Sequence, residues 1–593
     1  MNLVVRVLRQ TIGQRRVPSY VVEYVRQRAR QEWRRTRERF GHARDLPGWR
    51  AWRDSVSQVA ARVRVESDDS WRSAVDFRFV AVREVAEDNL AIVAHLLRTA
   101  GVPFFVRDAR SAGPIVIGVD VAERAQVWAA LAASRGGDLY VQAVDGTREV
   151  PAWCLLTAQG AAARSERMLV YRNHRLGPGY VVGASHGCLI ELWHRAGDNM
   201  RPPAGARPGR LVQSATAPAQ VTLGGREYPT LSDFSDHRSL SEARMPIDVV
   251  YTWVDDQDPR WRRQLEQTLA SERRRLHPQA INPSRYRDND ELRYSLRSLA
   301  LFAPFVRRIF VVTAGQVPEW LDTDHPDIRV VDHDELLDPA HLPTFNSHAV
   351  ESRLHHIDGL SEHYLYLNDD FVLGRAVTAG TFFTPNGLAK LFPDELAPIP
   401  SGPPSTDDLP VDSASKNVRD LLRDHCDVHV GRKILHVPYP QLRSVLVELE
   451  QRFPDEFART AASRFRQPAD LNIASCLAHY YAFATGRAVP ADIAAQYINI
   501  AFRWAGLQMG RLLERRDVDA ICINETDAPP DRADEMRAAA TRFLQSYLPV
   551  PSPWERRAVA WGSTRKNDAM SVNPWTAADA NVIDSSRTAG RSW

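Results

Sequence analysis

One apolar segment of the chain ends directly in an amide and two carboxylates. The residues from Tyr364 to Leu367 alternate aromatic and aliphatic side chains, and Asn368, Asp369 and Asp370 follow them. Such a run is typical of a short buried strand, and α/β folds bind ligands beyond the carboxyl ends of their strands. Adjacent carboxylates repel each other unless a cation lies near them, and Mg²⁺ takes oxygen ligands that it often shares with phosphorylated substrates. The segment therefore predicts a metal-assisted site for a nucleotide or phosphate compound, with a solvated turn between two strands as the alternative.

A second segment of the chain has the same form. The run from Ile247 to Val254 is β-branched and aromatic, and it leads into Asp255, with Asp256 and Asp258 close behind. Two strands of one region that both end in acids are expected of a sheet with a nucleotide-sugar site at its carboxyl edge. The pair of segments favours the metal-assisted site over the solvated turn.

The length and composition of the chain predict several globular domains. The chain has 593 residues, of which 44% are hydrophobic and 25% are charged. It is too long for a single core and too apolar for a mainly disordered protein. The net charge of +3 argues neither for nor against nucleic-acid binding, and no nucleic-acid partner is predicted. The five cysteines are widely spaced without a zinc pattern, which is typical of a reducing compartment.

The N-terminal part of the chain is basic and lacks the layout of a signal peptide. Arg6 and Arg9 interrupt its apolar residues, and no run of the chain approaches the roughly 20 apolar residues of a membrane span. The chain is therefore predicted to be soluble and cytoplasmic. Residues 1–50 carry thirteen Arg against four acidic residues. This segment is predicted either to contact the inner face of the plasma membrane or to form a solvated helix packed on the next domain.

The order of predicted elements divides the chain into a basic segment and two structured domains. Residues 1–75 are predicted to be a basic helical segment, and residues 76–240 an α+β accessory domain. Residues 77–144 read as strand, helix, strand, strand, helix, strand, which is the order of a ferredoxin-like unit. Residues 245–392 alternate strands with helices, which predicts a Rossmann-like, mostly parallel sheet.

The remaining regions complete the predicted organisation. Residues 393–410 are rich in proline and are predicted to be a linker. Residues 411–548 are predicted to be a helical region that completes the α/β domain, and residues 549–593 a polar, disordered tail. Within the α/β domain, leucines at helical spacing predict a helix near Glu291–Phe302.

Four blocks of the sequence resemble those of a known family. They are IDVVYTWVD at 247–255, then RDNDELRYSLRSLALFAPFVRRIFVVTAGQVPEWL, HLPTFNSHAVESRLHHIDGL and YLYLNDDF within 287–371, HVPYP and FPDEFARTAASRFRQPADLN within 435–483, and CINETD at 522–527. The chain resembles the Stealth family of capsular and exopolysaccharide phosphotransferases, which is related to the α/β subunit of the lysosomal-enzyme N-acetylglucosamine-1-phosphotransferase. The resemblance covers about residues 247–530, which would then form the catalytic domain.

The resemblance implies an activity and its cofactor. The family transfers a sugar 1-phosphate, here expected to be hexose or N-acetylhexosamine 1-phosphate, from a UDP-sugar to a hydroxyl of a growing polysaccharide and releases UMP. A divalent metal, Mg²⁺ or Mn²⁺, is expected. The expected partners are a UDP-sugar donor and a polysaccharide or glycan acceptor, and a homodimer is left open. The alternatives are a metal-dependent glycosyltransferase, which attacks the sugar carbon and releases UDP, and a non-catalytic scaffold of a polysaccharide assembly complex.

The resemblance also assigns catalytic roles to Glu351, Asp370, His436 and Arg466. The implied reaction needs a cation at the leaving phosphate, a guanidinium at the transferring phosphate and a base at the attacking hydroxyl. A histidine near its ordinary pKa suits the base, and a planar guanidinium pairs with phosphate oxygens. From the residues alone, Glu351 would form a surface ion pair with Arg353 or His355, and His436 would be structural.

The other predicted site residues fall into two groups. Those predicted to bind the nucleotide sugar are Asp255, Asp290 and Arg293. Those predicted to hold the metal are Asp369, Asp370, Asn524 and Asp527. The alternative for Asp290 is a helix N-terminus, where acids interact favourably with the helix dipole.

Overall fold

The structure is a computed structural model of the protein. It describes residues 75–76, 81–108, 112–134, 139–144, 149–152, 165–177, 180–197, 199–206, 212–213, 218–234, 243–502, 504–526 and 531–556. The predicted basic helical segment, the predicted metal ligand Asp527 and most of the predicted polar tail lie outside the described residues.

The first domain combines a large sheet with two long helices in its described part. The helices are α1 Val82–Thr99 and α2 Arg124–Ala132. The strands are β1 Val75–Asp76, β2 Phe105–Asp108, β3 Ile115–Asp120, β4 Leu139–Ala143, β5 Glu149–Pro151, β6 Arg167–Arg172, β7 His174–Gly177, β8 Tyr180–Val182, β9 Cys188–Ala196, β10 Asn199–Arg201, β11 Val212–Gln213, β12 Pro218–Leu223 and β13 Arg226–Leu231.

The ferredoxin-like unit predicted for residues 77–144 is not confirmed. The large sheet has the order β12-β13-β2-β3-β9-β6-β4-β5, so β3 lies between β2 and β9, and β4 pairs with β5 and β6. The chain is already helical at Val82, five residues after the start of the predicted unit, where a strand was expected. Strands from beyond residue 144 therefore complete this sheet, and the local order of elements carries no information about such distant partners.

The second domain alternates strands and helices. Its helices are α3 Pro259–Ser271, α4 Glu291–Phe302, α5 Ser347–Glu351, α6 Ala379–Phe382, α7 Pro410–Cys426, α8 Arg443–Arg452, α9 Pro454–Ala461, α10 Ala478–Ala484, α11 Ala505–Arg515 and α12 Ala533–Tyr547. Its strands are β14 Ile247–Thr252, β15 Val306–Thr313, β16 Ile328–Asp332, β17 His363–Asn368, β18 Phe371–Leu373, β19 Ala389–Leu391, β20 Pro393–Pro398, β21 Arg432–Ile434, β22 Tyr439–Leu442, β23 Ala488–Pro490, β24 Ala495–Asn499 and β25 Ala520–Asn524. No helix in the described ranges is long and apolar enough to cross a membrane.

The main sheet of the second domain is mostly parallel, as the sequence predicts. Its order is β16-β15-β14-β17-β22, in which only the pairing of β17 with β22 is antiparallel. The chain moves outward from β14 to β16 and then returns to the other side of β14 as β17. The carboxyl ends of β14 and β17 therefore flank a topological switch point, where open α/β sheets form their ligand crevice.

The region that follows the main sheet is less purely helical than predicted. The proline-rich stretch at 393–410 is not only a linker, because Pro393–Pro398 forms β20 and pairs with β21. Downstream, β25 lies between β24 and β18, and β18 begins directly after Asp370. This small sheet is what carries the fourth family-like block to the end of β17.

The two domains pack against each other. Val82 and Val85 of α1 and Tyr180 of β8 belong to the same apolar cluster as the core of the second domain. The guanidinium of Arg516 lies 3.6 Å from the ring centroid of Tyr180 and 4.1 Å from that of Tyr547. The accessory domain is thus joined to the second domain by apolar and cation–π contacts.

Asp248, inside the first family-like block, stabilises the sheet. It is buried in β14, where its carboxylate accepts from Arg307 Nε and Nη2 at 2.8 and 2.6 Å and from the Ser361 amide at 2.7 Å. We expect Asp248→Ala to lower the free energy of unfolding by about 1–3 kcal/mol, because the Ser361 amide loses its acceptor while the solvent-exposed Arg307 stays hydrated. Urea unfolding measures this effect, and Asp324→Ala on the surface is the control. Equal stability of the two variants would contradict the assignment.

Candidate active site

The loop after β14 is held by a side-chain amide. The Asp255 amide donates to Gln316 Oε1 at 3.1 Å, and Gln316 Nε2 donates to the Asp255 carbonyl at 2.8 Å. The Asp255 carboxylate accepts from the Gln257 amide at 2.7 Å and stays partly exposed. Asp255 therefore lies in a fixed loop at the carboxyl edge of the sheet, as its sequence position predicts.

Four carboxyl groups form an acid cluster beyond β17. Its members are Asp288, Glu291, Asp369 and Asp370. Burial, and then the charges of Asp370, Glu291 and Asp288, raise the pKa of Asp369 well above its ordinary value. Burial raises the pKa of Asp370 to about 6 and that of Glu291 to about 7. Carboxyl groups this close together repel each other when ionised, and they stay protonated unless a cation lies near them. The acid cluster is therefore suited to bind a cation.

Asp370 has one carboxylate oxygen that is available for a ligand. Its Oδ2 accepts from Cys522 Sγ at 3.4 Å and from Asn524 Nδ2 at 3.5 Å, whereas its Oδ1 is buried without a hydrogen-bond partner. An unpaired carboxylate oxygen amid excess negative charge fits a hard divalent cation. Asn524 does reach Asp370, but its own Oδ1 accepts from Thr526 Oγ1. In this arrangement Asn524 orients Asp370 rather than offering an oxygen of its own.

A tighter group of metal-type ligands lies elsewhere. Among the described residues, His355, His356 and Glu450 are the group whose ligand atoms all lie within 4.8 Å of one another. Both Nε2 atoms contact Glu450 Oε2, at 2.7 and 2.8 Å, and Arg353 pairs with the other oxygen. This group lies beside the amino end of β17, since Arg443 bonds both the His355 and the Glu362 carbonyls. Arg353 and His355 are therefore engaged with Glu450 and not with Glu351.

Glu351 is buried at the end of α5 and faces two arginines. Its Oε1 lies 3.3 Å from the Tyr366 hydroxyl, and its Oε2 is buried without a hydrogen-bond partner. Burial raises the pKa of Glu351 to about 7, although the charges of Arg466 and Arg285 act in the opposite direction. A carboxyl with this pKa can hold or release a proton near neutral pH. Glu351, Arg285 and Arg466 are together called the arginine pocket below.

Tyr366 connects the arginine pocket to the ends of the two central strands. Its hydroxyl lies 3.1 Å from Thr252 Oγ1, at the end of β14, and 3.1 Å from Asn368 Oδ1, at the end of β17. The same hydroxyl reaches Glu351. The acid cluster follows Asn368 directly, so Tyr366 places the two charged regions next to each other.

Arg466 enters the pocket from the loop after α9. Its Nη2 donates to Ser347 Oγ at 2.8 Å, and its Nε is buried without a hydrogen-bond partner. His348 lies beside it, and burial followed by the charges of Arg466 and Arg285 lowers the pKa of His348 well below its ordinary value. His348 is therefore neutral, and the positive charge available to an anion at this point is that of the arginines.

His436 lies at the same end of the sheet. Its ring lies 6.1 Å from that of Phe371, the residue after Asp370, and 5.4 Å from that of Tyr497 of β24, measured between ring centroids. Desolvation by its surroundings lowers the pKa of His436, so the imidazole is neutral at pH 7 and can accept a proton.

Asp290 and Arg293 pair with each other at the start of α4. Arg293 Nη1 lies 2.8 Å from Asp290 Oδ2, and the guanidinium lies 5.0 Å from the ring centroid of Trp320. Burial raises the pKa of Asp290 to about 6. Asp290 is the residue before α4, but its side chain makes no capping hydrogen bond there. The ion pair decides between neither interpretation, and binding of the nucleotide by the pair stays a prediction.

The structure thus brings most of the predicted site residues to one edge of the sheet. It adds residues that the sequence reasoning missed, namely Arg285, Asp288, Glu291, His348 and Tyr366. Asp288, Glu291, His348 and Tyr366 lie within the long second block, so their membership of that block was the available signal, whereas Arg285 lies two residues before it. Burial, which selects them from their many charged neighbours, is not visible in the sequence.

Comparison with known proteins identifies the family of the chain. Models of the four Stealth protein conserved regions match residues 245–273 for region 1, 285–391 for region 2, 435–483 for region 3 and 510–561 for region 4. An exopolysaccharide phosphotransferase of Streptomyces coelicolor is 41% identical to this chain over 79% of the chain and 82% of the relative.

The chain belongs to the Stealth family.

Other relatives carry the same kind of name. A second exopolysaccharide phosphotransferase of Streptomyces coelicolor is 37% identical over 79% of this chain and 90% of its own length. The exopolysaccharide phosphotransferase CpsY of Mycobacterium tuberculosis is 34% identical over 80% of this chain and 89% of its own length. Among solved structures, an active-site mutant of LgtC matches 50% of this chain and 95% of its own at 12% identity, with a TM-score of 0.25, which is too low to support a conclusion. The match to the Stealth relatives reaches into the accessory domain, since 79% of this chain exceeds the span of the four conserved regions.

Proposed function

We propose that the protein transfers hexose or N-acetylhexosamine 1-phosphate from a UDP-sugar to a hydroxyl of a growing polysaccharide and releases UMP. The names of the relatives support an enzyme that transfers phosphate-containing groups in exopolysaccharide synthesis. The observation that carries the finer proposal is the arginine pocket next to the acid cluster. Phosphoryl transfer needs positive charge at both phosphates of the donor. The arginine pocket supplies it for one phosphate, and a divalent cation held by the acid cluster would supply it for the other.

In the proposed reaction the acceptor hydroxyl attacks the phosphorus that bears the sugar. A bond forms between the hydroxyl oxygen and this phosphorus, and the bond from phosphorus to the bridging oxygen breaks, with its electron pair leaving on UMP. The hydroxyl proton passes to neutral His436. Arg466 pairs with oxygens of the transferring group, where its planar guanidinium can form two hydrogen bonds. Glu351 holds its unpaired Oε2 beside Arg466 and can exchange a proton near pH 7.

Asp369 and Asp370 are the residues proposed to hold a divalent cation, Mg²⁺ or Mn²⁺. When bound, such an ion supplies positive charge at the leaving phosphate. Asn524 orients Asp370, and Asp255 lies where the nucleotide would enter, at the end of β14. The Asp290 and Arg293 pair is proposed to line the same entrance. A role for Asp527, a peripheral membrane contact and a homodimer stay predictions.

The released nucleotide distinguishes this function from its alternative. We expect purified protein with Mg²⁺, a panel of UDP- and GDP-sugars and short polysaccharide acceptors to release UMP and to leave a phosphate in the product. Chromatography identifies the nucleotide, and ³¹P NMR identifies the phosphodiester. Release of UDP, with no phosphorus in the product, would make the protein a glycosyltransferase.

A further inference from the structure

We propose that Arg285 and Arg466 together form a binding subsite for the sugar-side phosphate of the donor, the one that is transferred. The proposal rests on the proposed function and deepens it. It assigns to Arg285 a binding role that the sequence blocks did not suggest. It also divides the donor between two regions, with the nucleotide-side phosphate at the acid cluster and the sugar-side phosphate at the arginine pocket.

The first observation is that Arg285 has unused donors. Its Nε is buried without a hydrogen-bond partner. Within the described ranges, no side-chain hydrogen bond of Arg285 and no carboxylate within 4.0 Å of its guanidinium is found. A guanidinium offers five N–H groups, and leaving a buried charged donor unpaired is costly. The unpaired N–H groups of Arg285 can therefore bind a ligand that supplies hydrogen-bond acceptors.

The second observation is that Arg285 faces another guanidinium. Burial, and then the charge of Arg466, lowers the pKa of Arg285 to about 9. The buried Nε of Arg466 is also unpaired, and Glu351 acts on the charge of both arginines without forming an ion pair with either one in the described structure. Asp470 also acts on the charge of Arg466, so two guanidiniums face two carboxyls. Because Glu351 is only partly ionised at pH 7, the pocket keeps a net positive charge. An anionic phosphate oxygen would balance this charge and accept from both guanidiniums.

The third observation is that one aromatic cluster fixes both arginines. Tyr286, the residue after Arg285, and Phe465, the residue before Arg466, both pack in a buried cluster with Trp261 and Phe345. Phe345 stacks on Phe465 with centroids 5.4 Å apart, and Trp261 lies 5.2 Å from Tyr286.

The backbone next to Arg285 is also held in place. The Tyr286 hydroxyl donates to the carbonyls of Ala280 and Phe345, at 3.1 and 3.3 Å. Arg285 itself ends a short 3₁₀ turn, Pro283–Arg285, whose cap Asn282 accepts from the Ser284 amide. The two backbones are therefore held before any ligand binds, which reduces the ordering cost of binding.

The test compares ligands that differ by one phosphate. Full-length wild type, Arg285→Gln, Arg285→Lys and the control Arg464→Gln are titrated by calorimetry with UMP and with UDP in Mg²⁺. Arg464 has the same side chain two residues from Arg466, but it donates to the carbonyls of Ala340 and Leu342. We expect Arg285→Gln to weaken UDP binding by about 10- to 100-fold and UMP binding by less than about twofold. Arg285→Lys should recover part of the loss, and the control should resemble wild type.

A second titration tests the subsite with a ligand that contains no nucleotide. Inorganic pyrophosphate is titrated in EDTA, so that no metal contributes to binding. We expect wild type to bind it and Arg285→Gln to bind it at least about tenfold more weakly. Failure of wild type to bind any uridine nucleotide would refute the proposed donor, and the pyrophosphate arm would then decide the subsite alone. Equal loss of UMP and UDP binding, unchanged UDP binding in Arg285→Gln, or no pyrophosphate binding by wild type would each overturn the inference.

Discussion

Asp370→Asn is expected to lower turnover by about a thousandfold or more while leaving the protein at least as stable as wild type. Asparagine keeps the shape of the side chain and its contact with Asn524, but it removes the charge that a divalent cation needs. It also removes one of two adjacent carboxyls that repel each other, since the charge of Asp370 raises the pKa of Asp369. A residue kept for function at the expense of stability should behave in this way.

Three measurements on the purified variant check this expectation. Nucleotide release from the UDP-sugar gives turnover, calorimetry with Mg²⁺ alone gives metal affinity, and thermal unfolding gives stability. Asp358→Asn is the matched control, because the Asp358 side chain is 97% exposed and lies away from the site. Retention of turnover within about tenfold would remove Asp370 from the metal site. A large drop in the unfolding temperature would instead indicate a structural role.

The sequence predicts the elements whose neighbours are local. The helix at Glu291–Phe302 is confirmed with the same bounds, because its leucines face the core at helical spacing and Pro304 follows its end. The strands that precede Asp255 and Asp370 are confirmed, because buried parallel strands form nearly continuous apolar runs, which Asp248 interrupts in β14. Both acids then lie at one edge, since parallel strands present their carboxyl ends on the same side.

The sequence does not predict features that depend on distant pairing or on burial. In the accessory domain, β3 pairs with β9, and only the folded chain brings these strands together. Arg285 belongs to a chain with many arginines, and its sequence context does not distinguish it from Arg287, which pairs with Glu525. What separates the two is burial beside Arg466 without a partner. The residue types indicate the chemistry of the site, but only the three-dimensional structure shows which of these residues lie in it.

Glu351→Gln is expected to abolish turnover and to stabilise the protein in a pH-dependent way. In the folded protein the pKa of Glu351 is raised to about 7 from its ordinary 4.5, so the folded state binds this proton more tightly than the unfolded state does. The stability that the protonated form contributes is present below about pH 4.5 and is lost as the pH rises through 7. Glutamine has no proton to lose and keeps that stability. At pH 8 the variant should therefore be more stable than wild type by about 2–3 kcal/mol, and at pH 5 by less than about 1 kcal/mol.

Urea unfolding at pH 5 and pH 8 measures this difference, with the exposed Glu395→Gln as the control that changes stability at neither pH. The pH dependence separates two explanations of lost turnover. If Glu351 only packed against Tyr366, its replacement would change stability by the same amount at both pH values. If Glu351 is a buried carboxyl held near two arginines for proton exchange, the gain in stability grows as the pH rises from about 4.5 and levels off above about 7. A stability difference that does not change between pH 5 and pH 8 would therefore contradict the proton-exchange role, even if turnover were lost.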